Sequence, residues 1–267
     1  MTDPTLQAQI DAATAYDTIM VPAMMEDWAV QVADAAALGP GQRVLDVACG
    51  TGVVSRVALA RVGSAGAVTG LDPNRGMLAV AERRAPAVRW THGAAEQLPF
   101  PDAAFDAVVS QFGLMFFRDR NRAIAEMLRV LARGGRWAVA VWDRVENIPA
   151  YAAEVALLER LAGTRAADAL RAPFVLGDRD ALAALFREAG AADARVTTER
   201  ATARFPSLRI LLEADLRGWL PVMGVPLPED TIQTILREAD REMAIYVGRD
   251  GTVAFEQSAH IVIGTAA

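Results

Sequence analysis

A short apolar strand that runs into a glycine-rich turn is the feature that most restricts how this chain can fold. The run VLDVA at 44–48 has the length of a buried strand, and Cys49-Gly50-Thr51-Gly52 follows it directly. A helical pattern then begins at Val53 and continues to Arg61. Strand, glycine turn and helix in this order form the first half of a βαβ unit. The turn therefore predicts a parallel sheet with a ligand site beyond the carboxyl end of this strand.

The alternation of strand and helix continues on both sides of this turn. A second apolar run at 67–71 is closed by Asp72-Pro73, where the proline restricts the preceding residue. The other predicted elements of this half are a helix at 29–38, a helix at 77–84, strands at 88–90 and 105–110, a helix at 120–131 and a strand at 136–142. Alternation this regular predicts an α/β fold with a doubly wound, mostly parallel sheet.

The charged residues and the single cysteine exclude several classes of protein. All 27 basic residues are arginine, so lysine Schiff-base chemistry and a P-loop lysine are ruled out. The net charge of −6 and the scattered arginines argue against a nucleic-acid partner. Cys49 permits no intrachain disulfide and fits a cytoplasmic location. No apolar stretch has the length of a membrane span or of a signal sequence, so membrane insertion is not expected.

Two classes of nucleoside cofactor fit a glycine turn combined with an acid at the end of the next strand. Gly50 and Gly52 let a ligand approach the backbone, and Asp72 is placed to accept hydrogen bonds from ribose hydroxyls. These features suit NAD as well as S-adenosylmethionine. However, Ser55 stands where the dinucleotide fingerprint has its third glycine, and Asp46 would repel a diphosphate but suits ammonium and sulfonium groups. The charge favours S-adenosylmethionine, with an NAD-dependent oxidoreductase as the alternative.

Four ordered blocks resemble class I S-adenosylmethionine-dependent methyltransferases, in the branch (methyltransferase type 11 domain) that includes the ubiquinone and menaquinone biosynthesis methyltransferases. The blocks are VLDVACGTG at 44–52, GLDP at 70–73 with Met77-Leu78, AEQLPFPD at 95–102 with Phe105-Asp106, and RVL at 129–131 with GGR at 134–136. The resemblance implies a Rossmann-like sheet of seven strands, the last one antiparallel, with a helical lid. It also implies a methyltransferase that uses S-adenosyl-L-methionine and leaves S-adenosyl-L-homocysteine as product.

The resemblance assigns roles to individual residues. Asp46 and the backbone of the glycine turn would lie near the methionine moiety, and Asp72 would bind the ribose hydroxyls. Met77 would lie against adenine, with Pro73 along the same wall. The full set of candidate cofactor-binding residues is Tyr16, Asp46, Ala48, Cys49, Gly50, Thr51, Gly52, Asp72, Pro73, Met77, Gly93, Ala94, Ala95, Glu96, Gln111 and Phe112.

Three further segments take their roles from the same resemblance. Residues 94–96 would meet the adenine edge, and the Gln111 main chain would face the amino group of the cofactor. Relatives usually carry an aspartate where this chain has Ala94, so a side-chain contact to the adenine amino group is expected to be missing. Tyr16-Asp17 and Trp28 resemble an N-terminal segment that folds over the cofactor in many members, and simple packing of these aromatic rings is the alternative.

Methyl transfer from a sulfonium is an in-line displacement, and holding donor and acceptor in line can supply roughly 7–11 kcal/mol of the barrier without an acid or base. If the acceptor is a hydroxyl, only His92 and His260 titrate near neutrality without perturbation. His92 is a weak catalytic candidate beside the adenine side of the crevice. For His260, inside the apolar run AHIVI, a structural role is favoured, and for Cys49 a packing role.

The second half of the chain reads as a completion of the sheet with an insertion. Helices are predicted at 150–161 and 179–189, a strand at 194–202 and the last strand within 253–264. The stretch at 206–242 is rich in apolar residues and predicts a helical lid over the acceptor pocket. A hydrophobic small molecule is then the expected acceptor, and core-facing helices or a dimer interface are the alternatives.

The expected domain organisation has three parts. A helical cap at 1–40 precedes a cofactor-binding core at 41–145, and 146–267 completes the sheet and carries the lid at about 205–250. After the fourth strand the chain reads Ser110-Gln111-Phe112-Gly113, which differs from the Asn-Pro-Pro-Tyr type of motif of enzymes that methylate amino groups of nucleic acids and protein amides. A small-molecule methyltransferase is therefore the leading expectation, ahead of a protein that binds the cofactor without catalysis, and no metal is predicted.

Overall fold

The computed structural model describes residues 4–266, and a seven-stranded sheet runs through its centre. The strands are β1 (Arg43–Val47), β2 (Ala67–Asp72), β3 (Arg89–His92), β4 (Phe105–Gln111), β5 (Leu131–Trp142), β6 (Arg195–Phe205) and β7 (Val253–Thr265). Their spatial order is β3-β2-β1-β4-β5-β7-β6. Pairs are parallel from β3 to β5, whereas β7 is antiparallel to both β5 and β6. The predicted sheet, including its antiparallel last strand, is confirmed.

Helices cover both faces of this sheet. They are α1 (Pro4–Met20), α2 (Glu26–Ala35), α3 (Val53–Val62), α4 (Arg75–Arg84), α5 (Arg120–Arg129), α6 (Pro149–Ala162), α7 (Thr164–Arg171), α8 (Arg179–Glu188), α9 (Leu208–Glu213), α10 (Leu220–Val222) and α11 (Glu229–Glu242). Side chains of β1 alternate between the faces, so Val44 joins the core with α2 and α3, while Leu45 and Val47 join the core with α5 and α6. Burial of both faces explains why the strands read as continuous apolar runs.

Several predicted boundaries move, and at the junction of α5 and β5 tertiary pairing overrides the local pattern. The helix predicted at 120–131 ends at Arg129, and β5 begins at Leu131 instead of 136. Leu131 is buried and pairs with Phe105, after which a register shift resumes the ladder at Ala107. The strand predicted at 88–90 is observed at Arg89–His92. The helix predicted at 29–38 is observed at Glu26–Ala35.

The N-terminal helices are attached to the second βα unit. Helix α1 packs on α4, where Gly76 leaves so little space that an added Cβ would lie 2.4 Å from the Gln9 backbone. Asp17 is buried and forms an ion pair of 2.6 Å with Arg84. A single π-helical turn, Val21–Met25, joins α1 to α2. This arrangement places α1 beside the loop that follows β2.

The chain between β6 and β7 forms the predicted helical insertion, which we call the lid segment (residues 206–252). It contains α9, a π-helical turn at Ala214–Trp219, α10 and α11. Helix α7, which the sequence analysis did not predict, supports it: the indole of Trp219 donates to the carbonyl of Ala169 at 2.8 Å. Within residues 4–266, no helix is long and apolar enough to cross a membrane.

Candidate active site

The loops that follow β1 and β2 meet at one edge of the sheet. The Gly50 amide donates to Asp72 Oδ2 at 2.9 Å, and the Cys49 amide donates to the Leu71 carbonyl at 3.0 Å. The order of strands reverses between β1 and β4, so this edge is the switch point at which ligands bind in doubly wound sheets. The glycine turn and the strand-end acid therefore belong to the same crevice.

Asp72 is held by backbone donors on both carboxylate oxygens. Besides the Gly50 contact, Oδ1 accepts from the Asn74 amide at 2.8 Å, and Asn74 in turn caps the first turn of α4. Burial raises the pKa of Asp72, while the hydrogen bonds from Asn74 and Gly50 oppose that rise. Each oxygen still has a free lone pair for a hydroxyl donor. The carboxylate is thus fixed in place with capacity to bind two ribose hydroxyls.

The glycine turn adopts a left-handed backbone at every second residue from Ala48 to Gly52. Ala48, Gly50 and Gly52 have φ values of 58°, 54° and 83°. For Ala48 this conformation is strained, and such strain concentrates at functional sites. Gly113, in the loop after β4, packs closely against Ala48, because a Cβ added to Gly113 would lie 2.6 Å from the Ala48 Cβ. Phe112, in that loop, is also left-handed, with a φ of 54°.

The floor beneath the glycine turn is the indole of Trp90. A Cβ added to Gly52 would lie 2.5 Å from the Trp90 ring, and one added to Gly70 would lie 2.3 Å from it. Both glycines are thus required by close packing on β3, in addition to the backbone angle at Gly52. A bulkier residue at either position would have to displace the ring.

Asp46 lies below the turn and is almost fully buried. Ser55, the residue in place of a third glycine, donates to Asp46 Oδ2 at 2.6 Å. Burial raises the pKa of Asp46 to about 7, the hydrogen bonds from Ser55 oppose this, and the charge of Asp72 adds to it. A cation bound above Asp46 would therefore favour the ionised carboxylate.

We predict that binding of S-adenosylhomocysteine weakens as the pH falls through about 7. Ionised Asp46 would attract the ammonium of the ligand and protonated Asp46 would not, so affinity should fall up to about tenfold per pH unit below that value. Titration calorimetry between pH 5.5 and 8.5 measures the effect. Asp46→Asn should bind more weakly at pH 8 and show a flatter pH profile; an equally steep profile in the variant would contradict the prediction.

The residues expected beside adenine occupy the loops after β2 and β3. Met77 is half-buried near the start of α4, and the Pro73 carbonyl lies 3.0 Å from His92 Nε2. Ala94 is exposed, whereas Glu96 is half-buried and its Oε1 accepts from the Arg118 amide at 2.9 Å. The Glu96 carboxylate thus supports the loop before α5. Gly93 donates from its amide to the Asp72 carbonyl at 3.2 Å, which holds the two loops together.

Tyr16 and Trp28, the two N-terminal aromatic residues, have different positions. Tyr16 is half-buried on α1, and burial together with Coulombic repulsion from Asp72 and Asp17 raises its pKa, so its hydroxyl lies near the crevice acid. Trp28 is fully buried and packs edge-to-face on Phe112 at a centroid distance of 5.9 Å. Trp28 is a core residue, and Tyr16 is the one that borders the crevice.

Gln111 ties the end of β4 to the N-terminal segment. Its Nε2 donates to the Met25 carbonyl at 3.1 Å. The next residue, Phe112, stacks on Trp142 with a centroid distance of 3.7 Å. The main chain at Gln111 is consequently held between the sheet and the π-helical turn at Val21–Met25.

The histidines and the cysteine have the following surroundings. His92 is exposed at the end of β3. His260 is buried in β7, where its Nδ1 lies 2.9 Å from Thr198 Oγ1 and its Nε2 lies 3.0 Å from the Gly177 carbonyl and 3.3 Å from Asp143. These contacts join β6, β7 and the loop before α8, so they give His260 a structural role. Burial raises the pKa of the Cys49 thiol, which suits a packing role.

The structure also reveals acidic residues that the sequence analysis missed. Glu154 on α6 and Asp215 in the lid segment are both buried, and the described residues include no ion-pair partner for either of them. Glutamate is common on the exposed face of a helix, so no sequence signal indicated that Glu154 is buried. Asp215 carried no clear signal either, because Arg209, Glu213 and Arg217 stand in the same stretch of the lid segment and nothing in the sequence sets Asp215 apart from them.

The segment that carries the crevice loops matches a known protein family. Residues 44–135 match a family described as a methyltransferase domain. This range contains β1 to the start of β5, and with them the glycine turn, Asp72 and the loop after β4.

Curated relatives match the same half of the chain. A demethylmenaquinone methyltransferase from Renibacterium salmoninarum is 42% identical over 134 residues, which are 49% of this chain and 55% of that protein. A ubiquinone/menaquinone biosynthesis C-methyltransferase from Bordetella parapertussis is 38% identical over 148 residues, 52% of this chain and 57% of that protein. The chain thus spans little more than half the length of these curated relatives.

Solved structures share the fold over most of the chain. A putative methyltransferase from Bacillus halodurans has a TM-score of 0.58 at 20% identity and covers 89% of this chain and 98% of that one. The YcgJ protein of Bacillus subtilis has a TM-score of 0.57 at 20% identity, with coverage of 89% and 97%. At this identity the likeness concerns the fold, which is Rossmann-like.

Proposed function

We propose, from the match of residues 44–135 to a methyltransferase domain, that the chain transfers a methyl group from S-adenosyl-L-methionine to a small hydrophobic acceptor. The observation that carries the proposal is the contact of 2.9 Å between the Gly50 amide and Asp72, which joins the two loops into one crevice. In this crevice the glycine turn would suit the amino-acid tail of the cofactor, and Asp72 would suit its sugar. The buried Asp46 carboxylate below the turn disfavours a diphosphate, and with it the alternative of an NAD-dependent oxidoreductase.

The residues around the crevice fit the cofactor. The backbone of the turn at 48–52 and Asp46 would hold the methionine part, and Asp72 the ribose, with Tyr16 closing the crevice from α1. Pro73, Met77 and residues 93–96 would border the adenine, while Gln111 and Phe112 would lie beside the amino-acid end. We also propose the division into a cap at 1–40, a cofactor core at 41–145 and an acceptor part at 146–267.

The chemistry needs a donor and an acceptor held in line. When bound, S-adenosylmethionine supplies the electrophilic methyl group, and the residues of this chain orient the two partners and exclude water. The strained turn at Ala48 and the packing of Gly113 against it keep the crevice preformed. No residue of the crevice has to donate or accept a proton for the displacement itself.

The acceptor would enter between the lid segment and the N-terminal helices. Trp219 of the lid faces Phe116 beside the loop after β4, with ring centroids 5.4 Å apart, which supports an apolar acceptor at this edge. The two curated relatives are named for quinone precursors, which have the same character. Many apolar lid residues, among them Leu212 and Leu216, are core residues, so a small part of the lid remains for ligand contact.

The negative net charge and the single cysteine support two further proposals, one about the binding partner and one about the location in the cell. A net charge of −6 favours a small-molecule partner over a nucleic acid. The cysteine content agrees with a cytoplasmic location, which localisation of a tagged chain in cells would test.

Calorimetry with S-adenosylhomocysteine and with NADH tests the cofactor. We expect tight binding of S-adenosylhomocysteine alone, and selective binding of NADH would overturn the proposal. A panel of phenols, hydroquinones and hydrophobic acids, incubated with methyl-labelled cofactor, then tests transfer. Tight binding of the cofactor without transfer to any acceptor would favour a protein that binds the cofactor without catalysis.

A further inference from the structure

A second polar cluster lies buried beneath the lid segment, which we call the acidic cluster (Tyr151, Glu154, Asp215 and Gln257). Glu154, Asp215 and Gln257 are 0%, 3% and 1% exposed. Both carboxylate oxygens of Glu154, Oδ2 of Asp215 and Oε1 of Gln257 have no hydrogen-bond partner. When the acids are ionised all four atoms are acceptors, and none of the four receives a hydrogen bond.

Nothing nearby neutralises the two carboxylates. Within residues 4–266, no arginine or histidine forms an ion pair with Glu154 or Asp215, and the titratable groups that act on them are each other and Tyr151. Burial raises the pKa of Glu154, and repulsion from Asp215 raises it further. Burial also raises the pKa of Asp215, to about 7, against a hydrogen bond from Tyr151. Burial therefore favours a pair that holds a proton over a pair with two negative charges.

The acidic cluster adjoins the cofactor crevice through two methionines. The Tyr151 hydroxyl lies 3.6 Å from Met24 Sδ, and Gln257 Nε2 donates to the Met24 carbonyl at 3.1 Å. The neighbouring Met25 accepts from Gln111, the residue at the end of β4. Helix α1, which carries Tyr16, also contacts the π-helical turn that carries Asp215. The cluster is thus joined to the end of β4 through Met24 and Met25.

The walls around the cluster are aromatic. Tyr151 packs on Phe174 and Phe255, with centroid distances of 5.4 Å and 5.9 Å. π-Helical turns at Val21–Met25 and Ala214–Trp219 border the cluster on two sides, and such turns recur at functional sites. Aromatic walls with a few convergent polar atoms are typical of sites for small ring-shaped ligands.

We infer that Glu154 and Asp215 bind the hydroxyl of the methyl acceptor and take its proton. The inference rests on the proposed function. As the methyl–sulfur bond breaks, its electron pair stays on sulfur, the methyl group bonds to the acceptor, and the O–H proton passes to a carboxylate. The acceptor hydroxyl thereby supplies a donor to one of the four unpartnered oxygens.

Kinetics of Glu154→Gln and Asp215→Asn test the proton transfer, with naphthohydroquinone as the probe under anaerobic conditions. In the wild type, kcat should rise with pH through an apparent pKa near neutrality, because the ionised pair accepts the proton. We expect each variant to lose about 100-fold or more in kcat and to lose this rise, with binding of S-adenosylhomocysteine unchanged. Glu159→Gln is the matched control, because Glu159 lies on the same helix but forms an exposed ion pair with Arg171.

Binding measurements give a readout that needs no turnover. With S-adenosylhomocysteine present, the wild type should bind naphthohydroquinone about tenfold or more tightly than its dimethyl ether, and both variants should lose this preference. Equal binding of the two probes, or variants that keep the wild-type pH profile, would overturn the inference. Tighter binding of naphthylmethylamine than of the hydroquinone would also overturn it, in favour of an ammonium ligand. Failure to bind S-adenosylhomocysteine would instead refute the proposed function, so the two failures are distinguishable.

Discussion

Asp72→Ala is expected to weaken the binding of S-adenosylhomocysteine by about 2–3 kcal/mol, or roughly 30- to 150-fold. The carboxylate would accept two ribose hydroxyls, and its loss would leave both without a charged acceptor. The substitution also releases the Gly50 and Asn74 amides, which donate to Asp72 at 2.9 Å and 2.8 Å. The glycine turn would then lose its support as well as its ligand contact. Titration calorimetry at pH 8 measures the change.

The matched control for this substitution is Asp102→Ala. Asp102 is an exposed acid in the same domain, and it pairs with Arg129 at 2.6 Å, outside the residues of the crevice. We expect its removal to leave cofactor affinity within about twofold of the wild type. If Asp72→Ala bound S-adenosylhomocysteine as tightly as this control, the assignment of Asp72 to the ribose would be wrong.

Gly52→Ala is expected to lower the free energy of unfolding by about 2–5 kcal/mol and to abolish measurable cofactor binding. Two costs combine at this position. The backbone has a φ of 83°, which an L-residue adopts with strain, and the new Cβ would lie 2.5 Å from the Trp90 ring. The ring or the turn must move, and the turn is the part that approaches the ligand. Urea denaturation and calorimetry measure the two effects.

Gly41→Ala separates the two costs. Gly41 has a φ of 80°, close to that of Gly52, but an added Cβ would meet no atom within 4 Å. It should therefore cost only about 1–2 kcal/mol of stability and leave cofactor binding intact. Combining Gly52→Ala with Trp90→Phe should recover part of the loss, because the smaller ring leaves space. Equal destabilisation by Gly52→Ala and Gly41→Ala would show that contact with Trp90 carries no cost.

The first half of the fold was predictable because its signals are local. Each strand of this half is a short apolar run bounded by glycine, proline or an acid, and burial on both faces makes such runs continuous. The misplaced start of β5 shows the limit of this reasoning. Leu131 continues a helical pattern, but pairing with Phe105 stabilises the extended backbone there, and that partner lies 26 residues away in sequence.

The crevice could also be anticipated, because parallel strands bring their carboxyl ends to one edge. This rule alone places the turn after Val47 beside Asp72, and the contact of 2.9 Å between Gly50 and Asp72 agrees with it. No comparable rule predicts which residues surround the methyl acceptor. Glu154 is a glutamate in a helical pattern, and its chemistry depends on burial against Asp215, which is 61 residues further along the chain.

The sequence by itself determined the alternation of elements, the glycine turn and the strand-end acid, because local sterics, hydrophobic periodicity and the topology of a parallel sheet follow from neighbouring residues. Only the tertiary structure decided which titratable groups are perturbed. Asp46 and Asp215 acquire a pKa of about 7 because packing removes water from them, and packing is a property of segments distant in the chain. Because desolvation depends on segments that are distant in the sequence, the raised pKa of Asp215 follows from the packing of the lid segment on α6 and not from the residues next to Asp215.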